Sequence, residues 1–197
     1  MDTPEHDIIR EILAGNRERF SEIVQRYQNL VAMIISQLTS SREEINELSQ
    51  QVFVKAYLNL KNFRGEAKFS TWISRIAYNT TVNHLKKKKA LSFVDFFGDN
   101  NDNRSPAGEE KLITRLASPD EILNQKEMAE IIQKGIQQIP EQYRVVLTLY
   151  HQQHFSYEEI AKITGIPMGT VKNYLHRARK YLKDLLVKEL TLEELQL

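Results

Sequence analysis

Apolar positions recur at intervals of three and four along most of the chain, and each recurrence predicts an amphipathic helix. Thr3-Pro4 reads as an N-cap with proline at the first helical position, and Gly15 as a stop. From Asn16 to about Thr39 the set Phe20, Ile23, Val24, Tyr27, Leu30, Val31, Ile34, Ile35 and Leu38 lines one face of a second helix. Ser41-x-x-Glu44 has the form of a capping box and opens a third, over about 42–60, whose apolar set includes Leu48, Val52, Phe53, Ala56, Tyr57 and Leu60. The period breaks at Asn62-Phe63-Arg64-Gly65-Glu66. Ser70 then reads as the cap of a fourth helix running into Lys86–Lys89, with Trp72, Ile73, Ile76, Ala77, Val82 and Leu85 inward.

The pattern lapses over 98–110, GDNNDNRSPAGEE, where turn formers and charges exclude a packed core. It resumes at Ser118-Pro119-x-Glu121, which opens a helix over 119–138 that ends near Ile139-Pro140. A helix over about 141–152 buries Val145, Val146, Leu147 and Leu149 or their neighbours. Ser156-x-x-Glu159 caps a short one that Gly165 and Pro167 end. The last runs from about Gly169 to Leu190, and Thr191-x-x-Glu194 suggests one further turn. No stretch alternates as a strand would. The expected fold is all-α: a helical bundle over 1–89, a flexible acidic linker over 90–117, a second helical unit over 118–190 and a tail over 191–197. Apolar residues flank the linker on both sides, Phe93, Val94, Phe96 and Phe97 before it and Leu112, Ile113 and Leu116 after. Twenty-eight linker residues average roughly 30 Å as a coil and reach about 90 Å when extended.

Composition narrows the function. The 197 residues include no cysteine, which excludes disulfides, thiolate metal sites and a cysteine nucleophile and suits a reducing cytoplasm. No apolar run nears the roughly 20 residues of a membrane span, and MDTPEHD lacks the form of a signal peptide. Net charge is only +1, but the average conceals blocks. Residues 61–89 carry eight basic side chains against Glu66 alone; 90–130 carry four basic and nine acidic; 160–183 carry six basic and no acid. Two basic stretches about an acidic one fit a ligand rich in phosphates.

Each basic stretch contains a more specific arrangement. Ala161, Gly165 and Val171 supply what a helix-turn-helix needs: a small residue where the helices cross, a left-handed turn residue and a β-branched anchor. Val171, Leu175, Ala178 and Leu182 then point inward. Lys172, Asn173, His176, Arg177 and Lys180 point outward, the residue types that meet base edges and phosphates in a major groove. In the first unit Phe63-Arg64-Gly65-Glu66-Ala67-Lys68-Phe69-Ser70-Thr71-Trp72 interleaves rings with cations, and Trp72, Arg75, Asn79 and Asn83 share a helical face. Rings, amides and cations on one surface suit unstacked single-stranded bases. Phe63, Phe69 and Trp72 fit equally well as core residues of a small bundle.

These segments resemble the extracytoplasmic-function (ECF) sigma factors of bacterial RNA polymerase. The resemblance rests on Glu47-Leu48-Ser49-Gln50-Gln51-Val52-Phe53-Val54-Lys55-Ala56-Tyr57, on Phe63-Arg64-Gly65 through Asn79, on Ile139-Pro140-Glu141 and Arg144, on Ser156-Tyr157-Glu158-Glu159-Ile160-Ala161, and on Gly169-Thr170-Val171-Lys172 with His176-Arg177-Ala178-Arg179. It implies that the first unit is sigma region 2. Glu47, Leu48, Gln50, Gln51, Phe53 and Val54 would dock on the clamp helices of the polymerase β′ subunit. Phe63, Arg64, Lys68, Phe69, Ser70, Thr71, Trp72, Arg75, Asn79 and Asn83 would melt and read the −10 element, with Asn79 at the position used for a flipped-out base. The second unit would be region 4, touching the β flap and reading the −35 duplex with Thr170, Lys172, Asn173, His176, Arg177, Arg179 and Lys180. An anti-sigma factor would mask the chain until a stress or envelope signal arrives, and the free protein would be a cytoplasmic monomer.

Three positions depart from the family pattern. Glu47 stands where Asp is usual, Gln51 where Glu is usual, and Val171-Lys172-Asn173-Tyr174 where Val-Lys-Ser-Arg is common. A free-standing helix-turn-helix regulator is the alternative. It accounts for 140–190 but leaves Phe63–Asn79 without a role. An enzyme is not expected: there is no phosphate-binding glycine loop, no nucleophile elbow and no metal-ligand spacing. No cofactor is expected either.

Overall fold

The structure is a computed structural model that describes residues 4–89, 129 and 131–194. The segment read as a linker and most of the helix read over 119–138 lie outside the described residues. Four helices build the first unit: α1 (Pro4–Leu13), α2 (Phe20–Ser36), α3 (Arg42–Asn59) and α4 (Phe69–Lys89). Residues 131–138 form the described part of α5. It is followed by α6 (Glu141–His151), α7 (Tyr157–Thr164) and α8 (Met168–Glu194). Among the described residues there is no strand, and no helix is long and apolar enough to cross a membrane.

Burial follows the three-four pattern. Ile23, Val31, Ile34 and Ile35 of α2 pack on Leu48, Val52 and Ala56 of α3 and on Ile73 and Ala77 of α4. In the second unit Ile160 and Ile163 of α7 meet Val171, Leu175 and Ala178 of α8 over Val145, Val146 and Leu149 of α6. Fully burying each large aliphatic side chain is worth about 1.5–3 kcal/mol.

Boundaries differ from expectation where local chemistry allows two solutions. The helix expected from Asn16 begins as a 3-10 turn over Arg17–Arg19 and becomes α-helical at Phe20. The fourth helix begins at Phe69, so Ser70 lies inside the first turn and does not cap it. The expected break at Thr191 is absent, and α8 continues through it to Glu194. At α3 the capping box is half formed. Ser41 accepts the Glu44 N–H, but the Glu44 carboxylate accepts instead from Thr39 Oγ1 and Lys88 Nζ. In α7 the box is complete: Glu159 N–H donates to Ser156 Oγ at 3.2 Å and Ser156 N–H to Glu159 Oε2 at 2.8 Å.

The two units pack together, α4 against α7. Arg144 of α6 is only 9% exposed. Its Nε and Nη2 donate to the Gln37 carbonyl beyond the end of α2, at 3.0 and 2.7 Å. Its Nη1 donates to the Gln137 carbonyl at 2.7 Å, and Thr148 Oγ1 donates to Gln37 Oε1 at 3.3 Å. Burial pushes the Arg144 guanidinium below its ordinary value. Lys68 Nζ pairs with Glu159 Oε1 at 3.1 Å, and Thr71 Oγ1 donates to the same oxygen at 3.4 Å. Helix α4 therefore presents three stripes. Phe69, Ile73 and Ala77 face the core of the first unit, while Thr71, Ser74, Tyr78 and Thr81 form a second buried row. Arg75, Asn79 and Asn83 stay exposed on the third.

Candidate nucleic-acid interface

The exposed stripe of α4 carries one guanidinium and two amides, Arg75, Asn79 and Asn83. Successive spacings of four keep Arg75, Asn79 and Asn83 in line over about two turns of helix. Trp72 extends this row and is half-buried, tilted against Phe63 with ring centroids 5.5 Å apart and against Phe69 at 5.2 Å. Phe63 also meets Phe69 edge-on at 5.2 Å. The choice between ring platform and core resolves residue by residue. Phe69 is 3% exposed and packs on Tyr27, so it is a core residue and not a base-stacking one. Phe63 and Trp72 are half-buried. Arg64 and Lys68 are exposed, Ser70 is half-buried, and Thr71 is buried against the second unit, away from the reading face. Gly65, in the loop before α4, has φ +73°, a conformation that favours glycine, and a Cβ there would lie 2.8 Å from His6 Nε2, so the His6 ring would have to shift.

On α3 the expected docking set divides in the same way. Glu47, Gln50 and Val54 are exposed, and Gln51 Nε2 donates to Glu47 Oε1 at 3.1 Å. Leu48 and Phe53 are buried and hold α3 in the bundle, so they are not surface residues. Leu58 was missed. It is 65% exposed one turn beyond Val54, which is 58% exposed, and the two make an apolar edge on an otherwise polar face. Their spacing of four was the available signal.

The second unit is a helix-turn-helix. Gly165 ends α7 at φ +76°, its N–H bonded to the Ala161 carbonyl at 2.9 Å, and Pro167 accepts the Val171 N–H at 3.0 Å as α8 begins. Val171, Leu175 and Ala178 are buried, so α8 must turn its other side outward. Lys172, His176, Arg179 and Lys180 are exposed, while Thr170, Asn173 and Arg177 are half-buried. Arg177 Nη1 donates to the Tyr143 hydroxyl at 3.2 Å, beside Tyr174 and Tyr181. Burial raises the Tyr174 phenol above its ordinary value. On the opposite flank Lys172 Nζ lies 5.6 Å from the Tyr157 ring centre and the Arg179 guanidinium 5.6 Å from that of Tyr150. Arg179 also donates to His151 Nε2 at 3.3 Å. Burial, then the neighbouring Arg179 and His154, hold His151 below the usual imidazole value and favour the neutral ring that accepts this bond. The tyrosines were not singled out from sequence, where aromatics at helical spacing read as core. No group of three or more His, Asp or Glu side chains that could hold a metal occurs among the described residues.

Comparison with known proteins agrees with this geometry. Residues 23–91 match Sigma-70 region 2 and residues 129–182 match Sigma-70, region 4. The chain is 30% identical over 184 residues to the ECF RNA polymerase sigma factor SigW of Bacillus subtilis, covering 90% of this chain and 94% of that protein. It is 33% identical over 176 residues to the ECF RNA polymerase sigma-E factor of Escherichia coli, covering 88% and 89%. The fold matches that of the sigma factor RpoE of Bartonella quintana, solved in complex with the anti-sigma factor NepR, with a TM-score of 0.60, 20% identity and coverage of 85% and 96%. With both sigma regions in order along one chain and relatives matched over nearly their whole length, the protein belongs to the ECF RNA polymerase sigma factors.

Proposed function

We propose that this sigma factor binds core RNA polymerase and directs it to promoters that carry a −10 and a −35 element, each unit reading one. The observation that carries the reading is that one chain exposes two different nucleic-acid chemistries. Helix α4 offers an amide and guanidinium row beside partly exposed rings, suited to unstacked bases. Helix α8 offers a cationic face on a helix-turn-helix, suited to a duplex major groove. Arg75, Asn79 and Asn83 contact the melted −10 strand, with Trp72 and Phe63 at its edge and Arg64 and Lys68 on phosphates. Asn173, His176, Arg177 and Lys180 face the −35 groove, with Thr170, Lys172 and Arg179 at its margins. The α3 edge of Glu47, Gln50, Gln51, Val54 and Leu58 docks on the β′ clamp helices, and the first helices of the second unit touch the β flap.

The chain supplies recognition and melting while the polymerase supplies the chemistry, so no cofactor is required. An anti-sigma factor holds it until a stress or envelope signal arrives; the structural relative solved with NepR supports such a partner. The protein is then cytoplasmic and monomeric when free, and at the membrane only through that partner. A free-standing regulator would leave the α4 stripe and the α3 edge unused.

In vitro transcription tests the proposal. Core polymerase is mixed with the protein and a pool of bacterial promoter fragments, and start sites are mapped. Protein-dependent starts that share two upstream elements at fixed spacing are expected. Specific retention of duplex by the protein alone, with no binding to core polymerase, would replace this reading with the free-standing regulator.

A further inference from the structure

We infer that Tyr150 and Tyr157 are positioning residues for the recognition helix: their stacked rings hold Arg179 and Lys172 as a pair of phosphate clamps along one wall of the groove. The inference rests on the region 4 reading and deepens it. The two rings lie nearly parallel, 5.1 Å apart with an interplanar angle of 10°, one from the end of α6 and one from the first position of α7. Each carries one cation of α8 at 5.6 Å from its centre. His151 packs edge-on to Tyr150 at 5.0 Å and accepts from Arg179, which closes the row.

Helix geometry says which part of DNA these cations meet. Val171, Leu175 and Ala178 fix the inward direction of α8. At 100° per residue, Asn173, His176 and Lys180 lie opposite it and occupy the centre of the face. Lys172 and Arg179 lie about a quarter turn away, on the flank toward α7, seven residues and roughly 10 Å apart along the axis. In a helix-turn-helix the central residues enter the groove, and the first helix crosses the sugar–phosphate backbone. The flank that shares a surface with the first residue of α7 therefore meets the backbone, where contacts position the protein without reading sequence. Lys and Arg side chains lose much rotamer freedom when they bind, and a ring that already restrains them reduces that loss. The rings thus make two long, mobile cations into fixed ones.

The test uses the full chain assembled with core polymerase and a promoter duplex selected by the wild type. Tyr150→Leu and Tyr157→Leu together are expected to weaken binding about tenfold. The loss should be equal on duplexes with intact and with altered −35 sequence, and the slope of affinity against salt should fall by about one to two phosphates. Tyr→Phe at both positions keeps the rings and should behave as the wild type. In a Lys172→Ala, Arg179→Ala background the Tyr→Leu changes should cost little more. Equal losses for Phe and Leu variants would make the hydroxyls the contact and overturn the inference. So would additive losses, which would mark the rings as merely structural, or an altered −35 preference. Wild-type complexes indifferent to the −35 sequence would instead overturn the region 4 reading itself; a −35-dependent wild type matched by the Leu variants overturns only the positioning role.

Discussion

The two helices that we propose face DNA meet opposite problems with similar residues. On α4 the side chains proposed to read the strand, Arg75, Asn79 and Asn83, stand exposed in a row, and the nearby rings pack mainly on one another and on the core. On α8 the cations are braced from both flanks, Lys172 and Arg179 over Tyr157 and Tyr150, and Arg177 on the Tyr143 hydroxyl. A melted strand has no fixed shape, so its reader gains from side chains that adapt. A duplex presents edges and phosphates at set positions, so its reader gains from side chains already in place. The difference also divides the aromatics. In the first unit a ring near the proposed site chiefly packs, and in the second it lies against a cation of α8.

The sharpest break of that comparison is Phe69→Ala. With Phe69 in the core, the substitution should cost about 3–5 kcal/mol and lower the melting temperature of the first unit well before any DNA is added. An unchanged thermal transition with lost −10 binding would return Phe69 to the reading surface. Next in size is Asn79→Ala. It should leave the melting temperature in place and weaken open-complex formation on duplex promoters by about 1–3 kcal/mol, the worth of a good base contact. A template already melted over the −10 element should recover part of that loss. Equal behaviour of mutant and wild type on both templates would mark Asn79 as a surface residue without a reading role.

Smaller effects come from the turns that aim the two helices. Gly65 precedes α4 and Gly165 precedes α8, and both have positive φ. Alanine in that conformation costs about 1–2 kcal/mol. At Gly165 nothing lies within 4 Å of the added Cβ, so that strain is the whole cost, and Asn, which tolerates the conformation, should recover most of it. At Gly65 the Cβ would also displace His6, so Gly65→Asn should recover less. Denaturant unfolding of the four variants distinguishes them; equal rescue by Asn at both sites would remove the His6 contact as a cause.

Much of this was legible in the sequence because it is local. The helix periods of the described residues, the Ala161–Gly165–Val171 turn and the cations of α8 depend on residues a few positions apart; among the described cations of α8, Arg177 alone is half-buried, on the Tyr143 hydroxyl. The Arg75–Asn79–Asn83 row was legible for the same reason. What was not legible depends on partners far along the chain. Arg144 matches a family position, yet its bonds to the Gln37 carbonyl have no local signature. Thr71 shares the polar look of a reading residue and is buried because Glu159 lies over it. Leu48 and Phe53 belong to a surface motif by position and to the core by helical phase. The stacking of Tyr150 on Tyr157 has no local signature, because two different helices bring the rings parallel.

The two Ser-x-x-Glu motifs repeat the contrast at the smallest scale. Glu159 closes its own capping box and spends one oxygen on Lys68 and Thr71, whereas Glu44 leaves its box for Thr39 and Lys88. The bond from Lys88, then that from Thr39, lowers the Glu44 carboxyl to about 2. Burial acts to raise Glu159, but the Ser156 N–H and Lys68 outweigh it and the net direction is downward. A carboxyl lower in the folded chain than in the unfolded one stabilises the fold above the unfolded value and loses that contribution as it is protonated. For Glu44 the loss spans the interval from about pH 4.3, the usual Glu value, down to about 2. Glu44→Gln should therefore flatten the acid limb of the first unit's stability in that window and lower stability at pH 7. Glu159→Gln should cost less. Glutamine can still return to the Ser156 N–H, and the ion pair it gives up involves a largely exposed Lys68, worth under about 1 kcal/mol. Urea titrations of both variants between pH 2 and 7 measure the difference. If Glu159→Gln proves the more damaging of the two, the box in α7 depends on its charge, and Glu159 holds the two units together more firmly than its partly exposed partner implies.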